Sequence, residues 1–212
     1  MIEKIYTGDG STSLYIKDIE ETYHARQGAY TESLHVYIQQ GLLPIYDRNI
    51  DILEVGWGTG LNTLITIDSI KQYPISYTAL EPFPLPKEII EQLYFPTPSL
   101  KLLHKLHSIP FESKYTEIPK FEFCKIKLKI EDFETTKKYD LIYFDAFAPN
   151  KQKEIWSKQN FHKIYSLMNN RARLVTYCAN GQFKRNLREI GFEAHHPPGA
   201  HGKREMTVAI KK

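Results

Sequence analysis

One strand–turn–helix stretch constrains the fold more than any other part of the chain. Ile50 to Val55 form a short apolar run with the composition of a buried strand. Gly56, Gly58 and Gly60 follow at alternate positions, and Leu61 to Ile70 then have the character of a helix. This order predicts a βα unit in which the glycine turn and the helix N-terminus let a ligand approach the backbone closely.

The spacing of the glycines bears on the identity of that ligand. Dinucleotide-binding turns have the pattern G-x-G-x-x-G, whereas this turn has G-x-G-x-G and is preceded by Glu54 at the strand end. S-adenosylmethionine has an ammonium group, a carboxylate and a ribose but no phosphate, so an acid and close backbone suit it. We therefore expect S-adenosylmethionine here. A tight βα turn without a ligand is the alternative.

Bulk composition indicates an ordinary globular protein. Apolar residues make up 42% of the 212 residues and charged residues 25%, enough for one sizeable domain. No signal peptide and no membrane-spanning apolar run is evident, so we expect a cytoplasmic protein without a membrane partner. Cys124 and Cys178 belong to no metal-type cluster, and the histidines lack further ligands at a recognised spacing. We expect no metal.

The net charge of +3 conceals an asymmetry along the chain. Residues 1–150 carry 15 Lys+Arg and 21 Asp+Glu, a net charge of −6. Residues 151–212 carry 13 Lys+Arg and 4 Asp+Glu, a net charge of +9. A basic last third indicates a polyanionic partner, for which nucleic acid is the usual candidate. A solvated surface with scattered lysines is the alternative.

The segment before the glycine motif is predicted to be an N-terminal extension. Thr7 to Thr12 contain an Asp-Gly pair between two short alternating runs, which predicts a hairpin. A helix is expected to begin near Thr31 and to end at Gly41. We expect residues 1–45 to pack on a domain formed by residues 46–212. The polar start of the helix, with Tyr30 and Glu32, either folds over the ligand site or belongs to an ordinary amphipathic helix.

Two further acids follow predicted strands. Glu81 follows the strand from Ile75 to Leu80, about twenty residues past the glycines, where an acid reaches ribose hydroxyls in folds of this class. Glu131 and Asp132 follow the alternating run from Phe121 to Ile130, where a methyltransferase would place an acid against the adenine amino group. The sequence leaves the choice between these two acids open.

A second strong feature is the strand from Leu141 to Phe144. Asp145 falls at its carboxyl end, which lies beside the first strand in a doubly wound sheet, where ligands bind. An acid followed by Phe147 and Pro149 suits the binding of an amine, whose ammonium the carboxylate can hold or deprotonate. An Asp that caps the next loop is the alternative.

The rest of the chain completes an α/β pattern. A helix, a strand and a basic helix from Gln182 to Ile190 are followed by two strands, Phe192 to His196 and Glu205 to Ile210, that we expect to pair antiparallel. The predicted fold is a doubly wound α/β sheet with a C-terminal antiparallel hairpin and a small N-terminal extension.

Four motifs in order carry a resemblance to a known family. They are Glu54-Val-Gly-Trp-Gly-Thr-Gly-Leu-Asn62, Glu81-Pro-Phe-Pro-Leu85, Asp140-Leu-Ile-Tyr-Phe-Asp-Ala-Phe-Ala-Pro149 and Gly202-Lys-Arg-Glu-Met206. The set resembles the methyltransferase domain of MnmC-type tRNA-modifying proteins and its stand-alone form, MnmD. The resemblance implies a Rossmann-like class I methyltransferase. It also implies transfer of a methyl group from S-adenosylmethionine to 5-aminomethyl-(2-thio)uridine at the tRNA wobble position, which leaves S-adenosylhomocysteine.

The resemblance and the residue patterns together define a predicted site. Asp145 is the predicted catalytic residue, which holds and deprotonates the amine. The predicted cofactor residues are Glu54, Gly56, Gly58, Gly60, Asn62, Glu81, Glu131 and Asp132. The predicted substrate residues are Tyr30, Glu32, Phe147 and Pro149 around the base, and Lys184, Arg185, Arg188, Lys203 and Arg204 at phosphates.

Two departures from the family pattern and two rival functions remain. Ala146 stands where the family often has Gly, which narrows the expected pocket. No G-x-G-x-x-G motif follows residue 150, so we expect no FAD and no fused oxidoreductase domain. The rivals are a small-amine transferase of the polyamine-synthase type and a catalytically inactive tRNA-binding relative. A monomer is favoured, and the sequence identifies neither the tRNAs nor the need for the 2-thio group.

Overall fold

The structure, a computed structural model, describes residues 1–212 and contains two β-sheets. The smaller sheet is antiparallel and consists of β1 (Ile2–Tyr6), β2 (Thr12–Ile16) and β3 (Glu21–Thr22). Tyr6 pairs with Thr12 across the turn, as the Asp-Gly signal predicts. The N-terminal hairpin is therefore confirmed, and a short third strand extends it.

The helix that follows is longer than its sequence signals indicate. It begins as α1 (Ala29–Ser33), continues with π-helical geometry over Leu34–Leu42, and ends in a 3₁₀ turn at Leu43–Ile45. The helix begins two residues before the predicted Thr31 and continues one residue past Gly41 before the 3₁₀ turn. Gly41 lies in a crowded position, because a Cβ atom there would meet Val175 at 3.0 Å and Tyr143 at 3.3 Å.

The larger sheet has eight strands in the order β10-β11-β9-β8-β4-β5-β7-β6. Its strands are β4 (Ile50–Val55), β5 (Ile75–Leu80), β6 (Tyr115–Ile118), β7 (Phe121–Ile126), β8 (Tyr139–Phe144), β9 (Met168–Thr176), β10 (Phe192–His195) and β11 (Thr207–Lys211). Strands β7, β5, β4, β8 and β9 are parallel, and β11 and β10 close the sheet as an antiparallel pair. The doubly wound sheet and its C-terminal hairpin are confirmed.

Helices cover both faces of this sheet. They are α2 (Leu61–Asp68), α3 (Lys87–Ile90), α4 (Leu103–Ser108), α5 (Lys158–Leu167) and α6 (Gly181–Ile190), with 3₁₀ turns at Pro98–Leu102, Lys153–Trp156 and Ala200–Gly202. One apolar core lies under α1 and α2, and a second under α5 and α6. None of the helices has the combination of length and apolar character needed to cross a membrane.

Two differences from the predicted strands affect the site. Strand β7 ends at Ile126 rather than Ile130, so residues 127–130 are loop. Edge strand β6, which the sequence did not predict, pairs antiparallel with β7. The chain leaves β4 for β5 on one side, whereas β8 pairs with β4 on the other. The carboxyl ends of β4 and β8 therefore meet at the topological switch point, where ligands bind in such sheets.

Candidate active site

The glycine turn after β4 has the backbone conformation that the motif predicts. Gly56, Gly58 and Gly60 have φ values of 91°, 52° and 79°, a region that favours glycine. A Cβ atom on Gly56 would lie 2.3 Å from the carbonyl oxygen of Asp145. The turn thus brings the ends of β4 and β8 into direct contact and leaves space in front of them.

That space is a cavity of about 740 Å³ at the carboxyl edge of the sheet. Its volume lies within the range of roughly 300–1,000 Å³ that is usual for small-molecule sites. Strand ends and following loops supply much of its wall, and the N-terminal hairpin supplies more through Ile2 and Ile16. Of the predicted site residues, Gly56, Glu81, Glu131, Asp145 and Phe147 line it.

Glu81 is held rigidly in this wall. Its Oε2 accepts a hydrogen bond from the Gly58 backbone N–H at 2.7 Å, and its Oε1 accepts from the Phe83 N–H at 2.8 Å. Burial raises the pKa of Glu81, and the two backbone donors oppose that rise. Each carboxylate oxygen keeps a second lone pair, so the buried side chain can accept from a vicinal diol such as a ribose.

Glu54 and Asn62 lie behind the cavity and do not line it. Glu54 is fully buried, and its carboxyl group accepts from the Tyr77 hydroxyl at 2.7 Å and from the Asn62 amide at 2.8 Å. The same amide donates to Asp145 Oδ2 at 2.8 Å. Burial raises the pKa of Glu54 well above its usual value. The predicted direct contact of Glu54 with a ligand ammonium would require these partners to rearrange, because Glu54 faces the core beneath α2.

The two acids after β7 are placed differently. Glu131 contributes to the cavity wall, and its Oε1 accepts from the Asn160 amide at 2.8 Å. Asp132 is exposed and does not line the cavity. Apolar atoms of Leu128, Ile130 and other residues surround this end of the space. The geometry therefore favours Glu131 as the acid near an adenine.

Asp145 lies where the large cavity meets a smaller one. Enclosure by the protein raises the pKa of Asp145 to about 6, and the hydrogen bond from Asn62 opposes that rise. The carboxylate is still ionised near neutral pH, yet close enough to its pKa to exchange a proton. A group with these properties suits general-base work in an enclosed site.

The smaller cavity has a volume of about 250 Å³ and a polar wall. Tyr23, His24, Asp145 and Tyr177 line both cavities, so the two spaces adjoin. Burial lowers the pKa of His24 to about 4, which leaves the imidazole neutral near pH 7. The remaining wall of the small cavity includes Glu32, Tyr37 and Lys203.

Lys203 is exposed and also contributes to the wall of the small cavity. Its ammonium forms an ion pair with the buried carboxylate of Glu32 and lies 5.7 Å from the centre of the Tyr177 ring. The predicted role of Lys203 at phosphates stays a prediction, and its pairing with Glu32 competes with it. Glu32 lines the same cavity, and its predicted role beside the substrate also stays a prediction.

The other predicted phosphate ligands divide into two groups. Lys184 has 16% of its side chain exposed and pairs with Glu205, so it is not free for a polyanion. Arg185 and Arg188 are exposed on α6, and 95% of the Arg204 side chain is exposed. These three guanidinium groups remain available to a partner.

Two predicted residues of the base pocket lie outside it, and three unpredicted ones lie inside. Tyr30 packs against the apolar core, and neither it nor Pro149 lines a cavity. The sequence missed Tyr23, Tyr37 and Tyr177. Tyr23 contacts Phe147 edge-on, with ring centres 5.1 Å apart. No local pattern marks these tyrosines, because the fold brings them together from distant segments.

The large cavity has the features expected of an S-adenosylmethionine site, and it adjoins the smaller polar cavity. The large cavity offers a glycine turn without Cβ atoms, a rigid diol acceptor in Glu81 and an apolar end beside Glu131. The small cavity offers an ionisable carboxylate at the junction. Ala146 lines the large cavity, and its carbonyl oxygen accepts from the Tyr177 hydroxyl at 2.8 Å.

Solved structures share this architecture. The crystal structure of MNMC2 from Aquifex aeolicus superimposes with a TM-score of 0.84 at 25% identity, covering 99% of this chain and 70% of that one. The S-adenosylmethionine-bound amino pentose methyltransferase CalS10 from Micromonospora echinaspora superimposes with a TM-score of 0.55 at 10% identity, covering 88% and 93%. The second likeness concerns the fold alone.

Sequence relatives indicate the same family. The tRNA 5-methylaminomethyl-2-thiouridine biosynthesis bifunctional protein MnmC of Cupriavidus necator is 29% identical over 92% of this chain and 32% of its own length. The protein of that name from Campylobacter hominis is 29% identical over 92% of this chain and 31% of its own length. The chain thus spans about a third of the length of these curated relatives. A sequence model of a family described as S-adenosyl-L-methionine-dependent methyltransferase matches residues 86–212, and the chain belongs to this family of S-adenosyl-L-methionine-dependent methyltransferases.

Proposed function

We propose that the protein transfers a methyl group from S-adenosylmethionine to the primary amine of 5-aminomethyl-(2-thio)uridine at the wobble position of tRNA. The product would be 5-methylaminomethyl-(2-thio)uridine, with S-adenosylhomocysteine released. The observation that carries the proposal is the Asp145 carboxylate at the junction of a cofactor-sized cavity and a smaller polar one. The names of the MnmC relatives point to the same substrate.

The cofactor would occupy the large cavity. Gly56 gives its backbone a close approach, Glu81 accepts from the ribose hydroxyls, and Glu131 accepts from the adenine amino group. Gly58 and Gly60 shape the turn. Asn62 would hold Asp145 in place, because its amide donates to both Glu54 and Asp145. When bound, S-adenosylmethionine supplies an electrophilic methyl group on a sulfonium. The residues of the chain supply orientation and proton transfer.

The amine would enter through the small cavity. An aliphatic ammonium has a pKa near that of lysine, about 10.4, so it arrives protonated. Asp145 would hold the ammonium and accept its proton, which frees the nitrogen lone pair. The nitrogen would then form the new N–C bond while the methyl–sulfur bond breaks and its electron pair stays on sulfur. Correct orientation of the two partners contributes up to roughly 7–11 kcal/mol in the best cases.

The exposed cations suit a tRNA backbone beside this entrance. Arg185 and Arg188 lie on α6, and the Lys184–Glu205 ion pair joins α6 to the loop that carries Lys203 and Arg204. The basic surface therefore adjoins the wall of the small cavity. We propose that these arginines hold phosphates while the flipped base enters the pocket.

The residues that line the two cavities suggest different roles for residues 1–45 and residues 46–212. Residues 46–212 would form the catalytic domain, since the glycine turn, Glu81 and Asp145 belong to it. Residues 1–45 would act as its substrate-side cover, since Tyr23, His24, Glu32 and Tyr37 line the small cavity from that segment.

The test is methyl transfer from labelled S-adenosylmethionine into bulk tRNA from cells that lack this protein, followed by nucleoside analysis. We expect label in methylaminomethyl uridines. Cofactor binding without label in tRNA would contradict the proposal, and label in added polyamines would then identify a small-amine transferase. No label in any acceptor would identify an inactive relative.

The basic surface has its own test. Replacing Arg185, Arg188 or Arg204 with Ala should weaken tRNA binding and lower the slope of log affinity against log salt by about 1 for each phosphate that the variant no longer neutralises. Lys71→Ala, an exposed cation beyond α2, is the control. An unchanged slope in the arginine variants would place the tRNA elsewhere.

A further inference from the structure

The hydroxyl of Tyr37 is a buried polar group without a partner. Tyr37 is 2% exposed, and its hydroxyl has no hydrogen bond, although the side chain lines the small cavity. Leaving a buried hydroxyl unpaired costs about 1–3 kcal/mol. The residue lies in the π-helical part of the first helix, a geometry found frequently at functional sites. We therefore expect the Tyr37 hydroxyl to form its hydrogen bond with a ligand in the small cavity.

Several other polar groups around this cavity already have partners. Lys203 pairs with Glu32, and the Tyr177 hydroxyl donates to Ala146. The imidazole of His24 contacts the hydroxyls of Ser13 and Thr59, at 3.0 and 3.3 Å. Tyr23 also lines this cavity, but among the lining residues only Tyr37 has a side-chain polar atom that is fully buried and unpaired. The Asp145 carboxylate, which Asn62 leaves partly free, is the charged group beside it.

Both groups line the small cavity. Burial and the charge of the neighbouring Asp145 raise the pKa of Tyr37 well above its usual value, so the side chain stays a neutral hydroxyl. Tyr37 in turn opposes the rise in the pKa of Asp145. The hydroxyl forms no hydrogen bond of ordinary geometry, so a donor that lies beside both groups can bind to the hydroxyl oxygen and to the carboxylate.

We propose that Tyr37 and Asp145 form a pair of acceptors that fixes both N–H bonds of the neutral primary amine and thereby limits the enzyme to a single methylation. This inference rests on the proposed amine transfer. A neutral primary amine has one carbon substituent, two N–H bonds and one lone pair. Asp145 first takes the third proton of the ammonium and passes it to solvent. The neutral amine then turns about its C–N bond so that one N–H bond points to the Asp145 carboxylate and the other to the Tyr37 hydroxyl oxygen, which directs the lone pair to the large cavity.

A methylated amine does not satisfy the same pair. After transfer, the nitrogen carries two carbon substituents and two protons as a secondary ammonium, and it must lose one proton to the Asp145 carboxylate before a second transfer. Once neutral, the secondary amine has a single N–H bond. If its lone pair faces the large cavity, one substituent must occupy the place of an N–H bond beside Asp145 or Tyr37. That arrangement leaves a buried acceptor unpaired and places a methyl group in a polar contact, which disfavours a second transfer.

The experiment compares Tyr37→Phe with wild type and with Tyr143→Phe. Tyr143 is a buried tyrosine whose ring lies 5.1 Å from that of Tyr37 but which lines neither cavity. Each protein is given tRNA with the aminomethyl base and, separately, tRNA with the methylaminomethyl base. Turnover numbers and the ratio of mono- to dimethylated nucleoside are measured, and calorimetry reports cofactor binding.

We expect Tyr37→Phe to bind the cofactor as wild type does and to lose about tenfold in kcat on the primary amine, the size of one hydrogen bond to the reacting group. We also expect the ratio of turnover on the primary amine to turnover on the secondary amine to fall by a similar factor in this variant. Dimethylated nucleoside should therefore appear. Tyr143→Phe should keep the wild-type preference.

Three results would overturn the assignment. In the first, Tyr37→Phe keeps both the wild-type kcat and the wild-type preference for the primary amine. In the second, its kcat falls but its preference is unchanged. In the third, it loses cofactor binding together with turnover, which indicates a structural role. A wild-type protein without turnover on any amine would instead refute the proposed function. The inferred role of Tyr37 in binding the amine would then be refuted as well.

Discussion

Replacing Asp145 with Asn should stabilise the protein while it greatly slows methyl transfer. The carboxyl group has a pKa of about 6 in the folded protein against 3.8 in an unperturbed chain. One pKa unit corresponds to about 1.36 kcal/mol, so ionised Asp145 lowers the free energy of unfolding by up to about 3 kcal/mol above pH 6. Asn is neutral and nearly isosteric, and its carbonyl oxygen can still accept from Asn62.

The sign of this effect determines its pH dependence. A raised carboxyl pKa means that the folded state binds more protons than the unfolded state between about pH 4 and pH 6. Wild-type stability from this group therefore falls as the pH rises through that window, whereas Asp145→Asn lacks the dependence. The gain in stability of the variant should be greatest above pH 6 and should vanish near pH 4.

Denaturant unfolding at a series of pH values checks this prediction. In thermal unfolding at pH 7.5 the melting temperature should rise by up to roughly 6–12 °C, since 1 kcal/mol shifts it by roughly 2–4 °C in a chain of this size. Asp47→Asn, a change at a side chain that is 80% exposed, should leave stability unchanged. Turnover on the aminomethyl substrate should fall by roughly 10²–10⁴ when the proton acceptor is removed.

Two results would refute the reasoning about Asp145. A variant no more stable than wild type at pH 7.5 would show that the carboxylate is not destabilised by its enclosure. Full turnover with an unchanged pH profile would show that Asp145 does not take the proton. In the wild type, we expect kcat/KM to decline as the pH falls through about 6, because protonated Asp145 cannot accept a further proton.

Two other substitutions test the cofactor side of the site. Gly56→Ala should destabilise the fold by at least about 1–3 kcal/mol, because a Cβ atom would meet the Asp145 carbonyl oxygen at 2.3 Å and because φ is positive. Gly10→Ala is the control, because Gly10 also has a positive φ but a Cβ atom there would meet nothing within 4 Å. Denaturant unfolding of the two variants therefore isolates the effect of the contact with Asp145. Equal destabilisation of both variants would show that this contact has no effect. Glu131→Gln should weaken cofactor binding about tenfold in calorimetry, whereas Asp132→Asn should not; the reverse order would place the adenine against Asp132.

The strand-end acids were predictable because their positions follow from local pattern and topology. Apolar runs identify β4, β5 and β8, and the carboxyl ends of parallel strands lie at one edge of a sheet. Glu81 and Asp145 therefore had to lie near the glycine turn, whatever the details of packing. Both line the large cavity.

The direction of Glu54 was also contained in the sequence but was misread. Side chains alternate along a strand, so Glu54 shares a face with Ile50 and Ile52, which pack in the core beneath α2. The motif suggested contact with a ligand, whereas the alternation indicates a buried carboxyl group. The buried partners Tyr77 and Asn62 agree with the alternation.

The substrate side of the site was decided by tertiary structure alone. Tyr37 and Lys203 are separated by more than 160 residues, yet both line the small cavity. Charge counting identified Lys203 as a free cation, because a composition argument cannot show that Lys203 pairs with Glu32.

By itself, the sequence determined the doubly wound sheet, the glycine turn and the acids at its edge, since each depends on short-range periodicity and on the geometry of parallel strands. Only the tertiary structure decided which face of the N-terminal helix closes the small cavity and which cations stay free. Those outcomes depend on contacts between distant segments, and no local pattern encodes the distances between them.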